Sequence, residues 1–233
     1  MNTVVNPLVV LQERIGKCRN CTRLVDYREQ VGRTKRKSFQ SWDYWSKPVP
    51  SFGDQRAKVV FIGLAPAAHG GNRTGRMFTG DASAKFLMST LHEAGFASQP
   101  TSDYREDGLT LHGIYITAAV RCVPPQDKPT ATEISACAPY LSQELDLLKE
   151  LQAVVVLGKV AFDAYLRFLS QKMEQRVKLT FRHGARYEVG NNYPVLFVSY
   201  HPSPRNYNTG RLTRASFIGL LNEVKDEVRE RVF

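Results

Sequence analysis

Apolar positions along the chain fall into two patterns. Unbroken runs occur at Lys58-Val59-Val60-Phe61-Ile62, Gly113-Ile114-Tyr115-Ile116-Thr117-Ala118-Ala119-Val120, Ala153-Val154-Val155-Val156-Leu157-Gly158 and Pro194-Val195-Leu196-Phe197-Val198-Ser199-Tyr200. Short continuous runs bounded by glycine and proline read as strands buried on both faces, and the first is drawn over 58–65. Between them apolar residues recur at helical spacing. Leu8, Leu11 and Ile15 mark a helix over 8–17, and Phe86, Leu87 and Leu91 one over 82–95, stopped by Gly95. Thr132 is placed to cap a helix over 133–150. Two more helices are expected, from Val160 to about Gln171 and over 212–231. Residues 98–112 and 123–130 read as loops, and 172–193 as an irregular basic stretch with a hairpin around His183-Gly184. Strand and helix alternate four times. The expected class is α/β: a three-layer α/β/α sandwich on a central four-stranded parallel sheet. No repeat or low-complexity linker divides the chain, so one domain over 1–233 is expected. Function in such sheets gathers at the carboxyl ends of the strands.

Two loops sit at such ends. The first, GLAPAAHGGNRTGRMFTGD, runs from Gly63 to Asp81. Its early residues are small, so a ligand can approach the backbone closely. It closes on an aromatic ring, Phe78, a glycine turn and a carboxylate, Asp81, which also suits the N-cap of the helix after it. The second, HPSPRNYNTGR, starts at His201 directly after the last strand. His92, His112 and His183 have no such context and read as structural or exposed.

The N-terminus lacks a signal-peptide layout and no apolar run is long enough to span a membrane, so a cytoplasmic protein is expected. Disulfides are not expected in that compartment. The four cysteines are Cys18, Cys21, Cys122 and Cys137, the first two forming a CxxC. Four thiolates can hold a zinc ion or an iron–sulfur cluster, and spacing alone does not choose between them.

The long first motif, the HPSPRNYNTGR motif and the cysteine pattern occur in order between Cys18 and about Arg211. Together they resemble the uracil-DNA glycosylase superfamily, and within it the fifth family, the type-b enzymes with an iron–sulfur cluster. The resemblance implies a monomeric hydrolase that cuts the N-glycosidic bond of uracil in DNA and so initiates base excision repair. It implies that His201 donates a hydrogen bond to uracil O2, that Phe78 stacks on the extruded base, and that Asp81 places the attacking water. Gly63, Leu64 and Ala65 would line the pocket floor. Ser203 and Arg205 would enter the minor groove, and Asp127 would assist. The four cysteines would hold a [4Fe–4S] cluster with a structural role. Ala65 and Ala118 stand where sister families carry polar side chains, a carboxylate or amide and a base-reading asparagine respectively. A pocket without that amide should accept other deaminated bases, hypoxanthine among them.

Charge fits this picture. The 233 residues carry a formal net charge of +10, which points to a polyanionic partner such as DNA. Basic residues 33–37 precede Phe39, Trp42, Tyr44 and Trp45. The basic cluster suits phosphate contact and the tryptophans suit packing on the sheet edge. Arg73, Arg76 and Arg211 are further phosphate candidates. A phosphate-handling enzyme is a rival reading of the glycine-rich segment, but the lysine-Ser/Thr ending of a P-loop is absent. A non-catalytic DNA-binding module with a metal staple explains the charge and cysteines but not the paired loops.

Overall fold

The computed structural model describes residues 6–190 and 192–230. Helix α1 (Pro7–Gly16) starts on an Asn6 cap whose side chain accepts from the Leu8 N–H, and α2 (Thr22–Thr34) follows the CxxC turn. Strand β1 (Phe52–Gly53) leads to β2 (Val59–Gly63), the one-turn α3 (Gly71–Thr74) and α4 (Ala82–Glu93). Then come β3 (Ile114–Ala118), α5 (Ala131–Leu147), β4 (Ala153–Leu157), α6 (Lys159–Lys172), β5 (Arg186–Tyr187), β6 (Val195–Ser199), α7 (Pro204–Asn208) and α8 (Arg214–Glu230).

The sheet order is β1-β3-β2-β4-β6-β5. The four expected strands form its parallel centre, in register Val59↔Ile114, Val59↔Ala153 and Ala153↔Val195. The expected four-stranded sheet is extended at each edge by a two-residue antiparallel strand, making six in all. These edge strands are too short to show a hydrophobic pattern.

Alternation along the central strands feeds two cores. Val59, Phe61, Ile116, Val155 and Phe197 meet Leu87 and Leu91 of α4 and Phe217 and Leu221 of α8. Val60, Ile62, Val154, Val156 and Leu196 meet Leu8 of α1, Leu141 of α5 and Phe162 and Tyr165 of α6. Every residue of the four central strands is buried, which is why their sequences carry almost no polar alternation.

Three local expectations change. The cap of α5 is Thr130, not Thr132: its side chain accepts from the Glu133 N–H while Glu133 accepts from the Thr130 N–H. This reciprocal box satisfies two otherwise unpaired donors. Helix α2 has no counterpart in the apolar pattern, because it buries a whole arginine, Arg28, beside Leu24, Val25 and Val31. The segment after Ser203 is the short helix α7 rather than a loop, started by Pro204 in the first turn.

Candidate active site

The loop after β2 and His201, two residues beyond β6, meet beyond the carboxyl ends of the sheet. Ala65, Phe78, Asp81, Ala118 and His201 line one small cavity of about 40 Å³. Phe78 and His201 stack, with ring centroids 5.9 Å apart and planes at 29°. Phe78 has a positive φ of 47°, a backbone state that costs an aromatic residue free energy. The strain persists because packing overrides it. A Cβ on Gly63 would lie 3.0 Å from the Phe78 ring, so only glycine leaves this close seat for it.

Asp81 is held from two sides. Its Oδ1 accepts from the Ala84 N–H at 2.9 Å, the N-cap of α4. Its Oδ2 occupies the space above Gly70, where a Cβ would stand 1.9 Å away. Burial raises the carboxyl above its ordinary pKa, against the opposing pull of the N–H bonds of Ala84 and Ser83 and the charge of Arg73. Capping and facing the cavity are therefore compatible roles for one side chain.

The turn after β6 is clamped. The His201 carbonyl accepts from the Ser203 N–H at 2.7 Å and from Asn206 Nδ2 at 2.8 Å. Burial pushes the imidazole down to about 4, so His201 is neutral near pH 7. A neutral imidazole can donate its N–H to a developing anion but carries no spare proton to give.

The other expected pocket residues are placed as follows. Ala65 lines the cavity, whereas Gly63 and Leu64 act from behind it: their carbonyls accept from the N–H groups of Ala119 and Val120. Asp127 lies instead in a larger adjoining cleft of about 820 Å³, which Asp81, His69, Phe39 and Trp42 also line. Gln126 and Asp127 both have positive φ, 56° and 57°, so this turn is strained where it borders the cleft. Ser203 is the N-cap position of α7 and Arg205 lies exposed on that helix; neither lines the small cavity.

Arg76 is not placed to bind phosphate. It is buried and saturated, paired with Asp107 at 2.7 Å and bonded to Thr79, Ser102 and the Arg105 carbonyl. Trp45 packs against the core and donates to the Pro48 carbonyl. Trp42 instead lines the larger cleft.

Among the described residues, no group of three or more His, Cys, Asp or Glu side chains is placed to hold a single metal ion. The four cysteines nevertheless line one common cavity, between the start of α2, the loop after β3 and α5. Arg28 Nη1 donates to Cys122 Sγ at 3.0 Å, and the Arg121 N–H to Cys137 Sγ at 3.3 Å. Burial pushes the Cys122 thiol up to about 11 and that of Cys137 to about 12. The Arg28 contact bridges segments far apart in sequence and has no local signal.

Comparison with known proteins agrees with this geometry. The chain is 49% identical over 213 residues to the type-5 uracil-DNA glycosylase of Thermus thermophilus, covering 91% of this chain and 94% of that protein. It is 48% identical over 201 residues to the type-5 uracil-DNA glycosylase of Pyrobaculum aerophilum, covering 86% and 84% respectively. A type-4 uracil-DNA glycosylase of Sulfurisphaera tokodaii is 28% identical over 176 residues, 74% of this chain and 71% of its own length. The family model described as "UDG: Uracil DNA glycosylase superfamily" matches residues 50–225. With that match spanning most of the chain, and with relatives near half identity over nearly all of it, this protein belongs to the uracil DNA glycosylase superfamily.

Proposed function

We propose that this chain is a uracil-DNA glycosylase that hydrolyses the N-glycosidic bond of uracil in DNA and initiates base excision repair. One observation carries the reading: Phe78 and Asp81 of the loop after β2 and His201, distant in sequence, line the same cavity beside the sheet's carboxyl ends. The bond is inaccessible within a duplex, so the base must be extruded into the site. Phe78 offers it a ring face. As the C1′–N1 bond lengthens, its electron pair moves onto the base and charge gathers at O2. The neutral His201 donates its ring N–H there, a preorganised electrostatic interaction that strengthens only as charge develops. Ionised Asp81 orients a water and stabilises the cationic sugar. The water oxygen bonds to C1′ and releases a proton to solvent, and the base departs as an anion that takes up a proton from solvent. The enzyme makes no further cut in the backbone.

The base range is broad in this reading. Ala118 borders the cavity with a methyl group where an amide would read uracil's edge, so hypoxanthine is accepted as well. Leu64 and Gly63 support the floor, Asp127 borders the entrance, and Ser203 and Arg205 present α7 to the DNA. The protein works as a monomer, folded as one domain.

Cys18, Cys21, Cys122 and Cys137 would hold a [4Fe–4S] cluster. Their shared cavity and the N–H groups aimed at two of the sulfurs fit thiolates rather than inert thiols. Thiols with pKa values near 11 and 12 stay protonated at neutral pH unless a bound metal stabilises the thiolate. The cluster would supply a rigid crosslink between the N-terminal helices and the loop after β3.

The test is direct. The protein is incubated with a uracil-containing oligonucleotide, then with alkali, and strand scission is scored. Scission by the wild type and its loss in His201→Ala support the reading; DNA binding without any abasic product sinks it.

A further inference from the structure

The cleft beside the base cavity contains a guanidinium with an unmet hydrogen-bonding capacity. Arg73 is 3% exposed. Its Nε donates to the His69 carbonyl at 2.7 Å and its Nη2 to the Gly80 carbonyl at 3.0 Å. Its Nη1 is buried and has no partner among the described residues. Phe39 and Trp42 form a corner around it: the guanidinium carbon lies 4.0 Å from one ring and 3.9 Å from the other, and their planes are 80° apart. An unpaired charged donor is costly to bury, and the neighbouring Arg76, fully paired, shows that the fold can satisfy such a group.

The surrounding charges narrow the choice of ligand. Asp81, Asp103 and Asp127 line the same cleft with Arg36, Arg73 and Lys85, and of the three cations Arg73 is the one shown buried with an unpaired donor. Arg36 and Arg73 both act on His69, which is held below its ordinary pKa by burial and then by these two charges. His69 Nδ1 is engaged with the Tyr44 hydroxyl at 3.0 Å, which fixes its ring at that corner. The cleft adjoins the base cavity through Ala67 and Asp81, which line both.

We propose that this corner seats one phosphodiester flanking the extruded nucleotide, with Arg73 as its anchoring cation. The proposal rests on the glycosylase reading for the identity of the strand. The bonds to His69 and Gly80 fix the fork in advance, so little entropy is lost when the phosphate arrives. Phe39 and Trp42 stand on a 3-10 turn and an adjoining loop rather than on the sheet, so their edges can give way to the incoming phosphate. Once displaced, both rings are free to stack on neighbouring bases.

A structural role is the competing account, since Arg73 also ties the Gly80 turn that precedes Asp81. A double-mutant cycle separates the two. The probe is a duplex bearing 2′-fluoro-2′-deoxyuridine, which resists cleavage, with a neutral methylphosphonate replacing each nearby phosphate in turn. The wild type should lose about ten-fold or more in affinity at one flanking position. Arg73→Leu should bind the all-phosphate duplex correspondingly weakly and be indifferent to methylphosphonate at that position, while remaining sensitive elsewhere. Should Arg73→Leu fail to fold, Arg73→Lys keeps the charge without the planar fork, and the coupling must shrink several-fold. Equal methylphosphonate profiles in wild type and variant overturn the proposal. Release of uracil from the unfluorinated duplex is scored separately, so coupling without uracil release would sink the enzyme reading alone.

Discussion

Phe78 and His201 touch ring to ring, with centroids 5.9 Å apart, although they arrive from loops after β2 and β6. A base sandwiched between two rings needs about 7 Å, two stacking contacts in series. An extruded base must therefore lie on Phe78 and meet the imidazole at its rim, which is where a carbonyl oxygen would accept the N–H. Replacing His201 by alanine should lower kcat by about 10²–10³-fold, the usual cost of one donor aimed at developing charge, with a smaller change in KM. Single-turnover kinetics at saturating enzyme measure this. An unchanged kcat would remove His201 from the chemistry.

Acid pH should switch the enzyme off in a way that identifies the two groups. In the proposed mechanism Asp81 acts ionised, and burial holds its pKa above the ordinary carboxylate value, so acidification should protonate it and activity should fall. His201 acts neutral and takes up a proton only near 4. Both losses run in the same direction, towards low pH. In Asp81→Asn, with its residual activity, only the imidazole limb near 4 should remain. A pH profile of kcat/KM whose limb is identical in wild type and variant would contradict the assignment.

Gly70→Ala should disarm the carboxylate without unfolding the protein. The added methyl would stand 1.9 Å from Asp81 Oδ2, and the aspartate would have to turn away. Loss of its cap to Ala84 would cost about 1 kcal/mol of stability. Activity should fall at least about ten-fold, the scale of losing a positioned catalytic group. Thermal melting beside kinetics checks both halves; full activity would mean the position of Oδ2 is irrelevant.

Ala118→Asn should narrow the base range. The side chain at this position borders the cavity, and an amide there leaves a mismatched base facing an unpaired donor. Relative to uracil, excision of hypoxanthine should drop by about ten-fold or more. A wild type inert on hypoxanthine would overturn the premise before the variant is made.

Cys137→Ser should lower the melting temperature and abolish the visible absorption of thiolate-bound iron, because a hydroxyl does not replace a thiolate as a cluster ligand. Iron and sulfide assays on purified protein check the loading. Colourless, iron-free protein with unaltered stability would dismiss the cluster.

The central strands and most helices are legible in the sequence because each is decided locally. Val59 to Ile62 and Val154 to Val156 need only be continuous and apolar to read as strands covered on both faces. That Phe78, Asp81 and His201 stand near strand ends is legible too, whereas their shared cavity is not, because it needs two distant loops to meet. Helix α2 is not legible either, since Arg28 fills a buried position that an apolar pattern expects a leucine to hold. Thr130 and Glu133 spell a capping box that is visible in retrospect, with Thr132 standing between them as a competing signal.

Arg73 and Arg76 mark the boundary. Both stand in one short motif, and nothing in their neighbours distinguishes them. Arg76 receives Asp107, Ser102 and Thr79, and is silenced. Arg73 receives two backbone carbonyls and two rings, and keeps a free donor at the edge of a cleft. Local residues could say that the two side chains are cationic and that the chain around them is tight. Which charge was neutralised depended on segments brought in by long-range packing, because an ion pair exists only where folding delivers the partner.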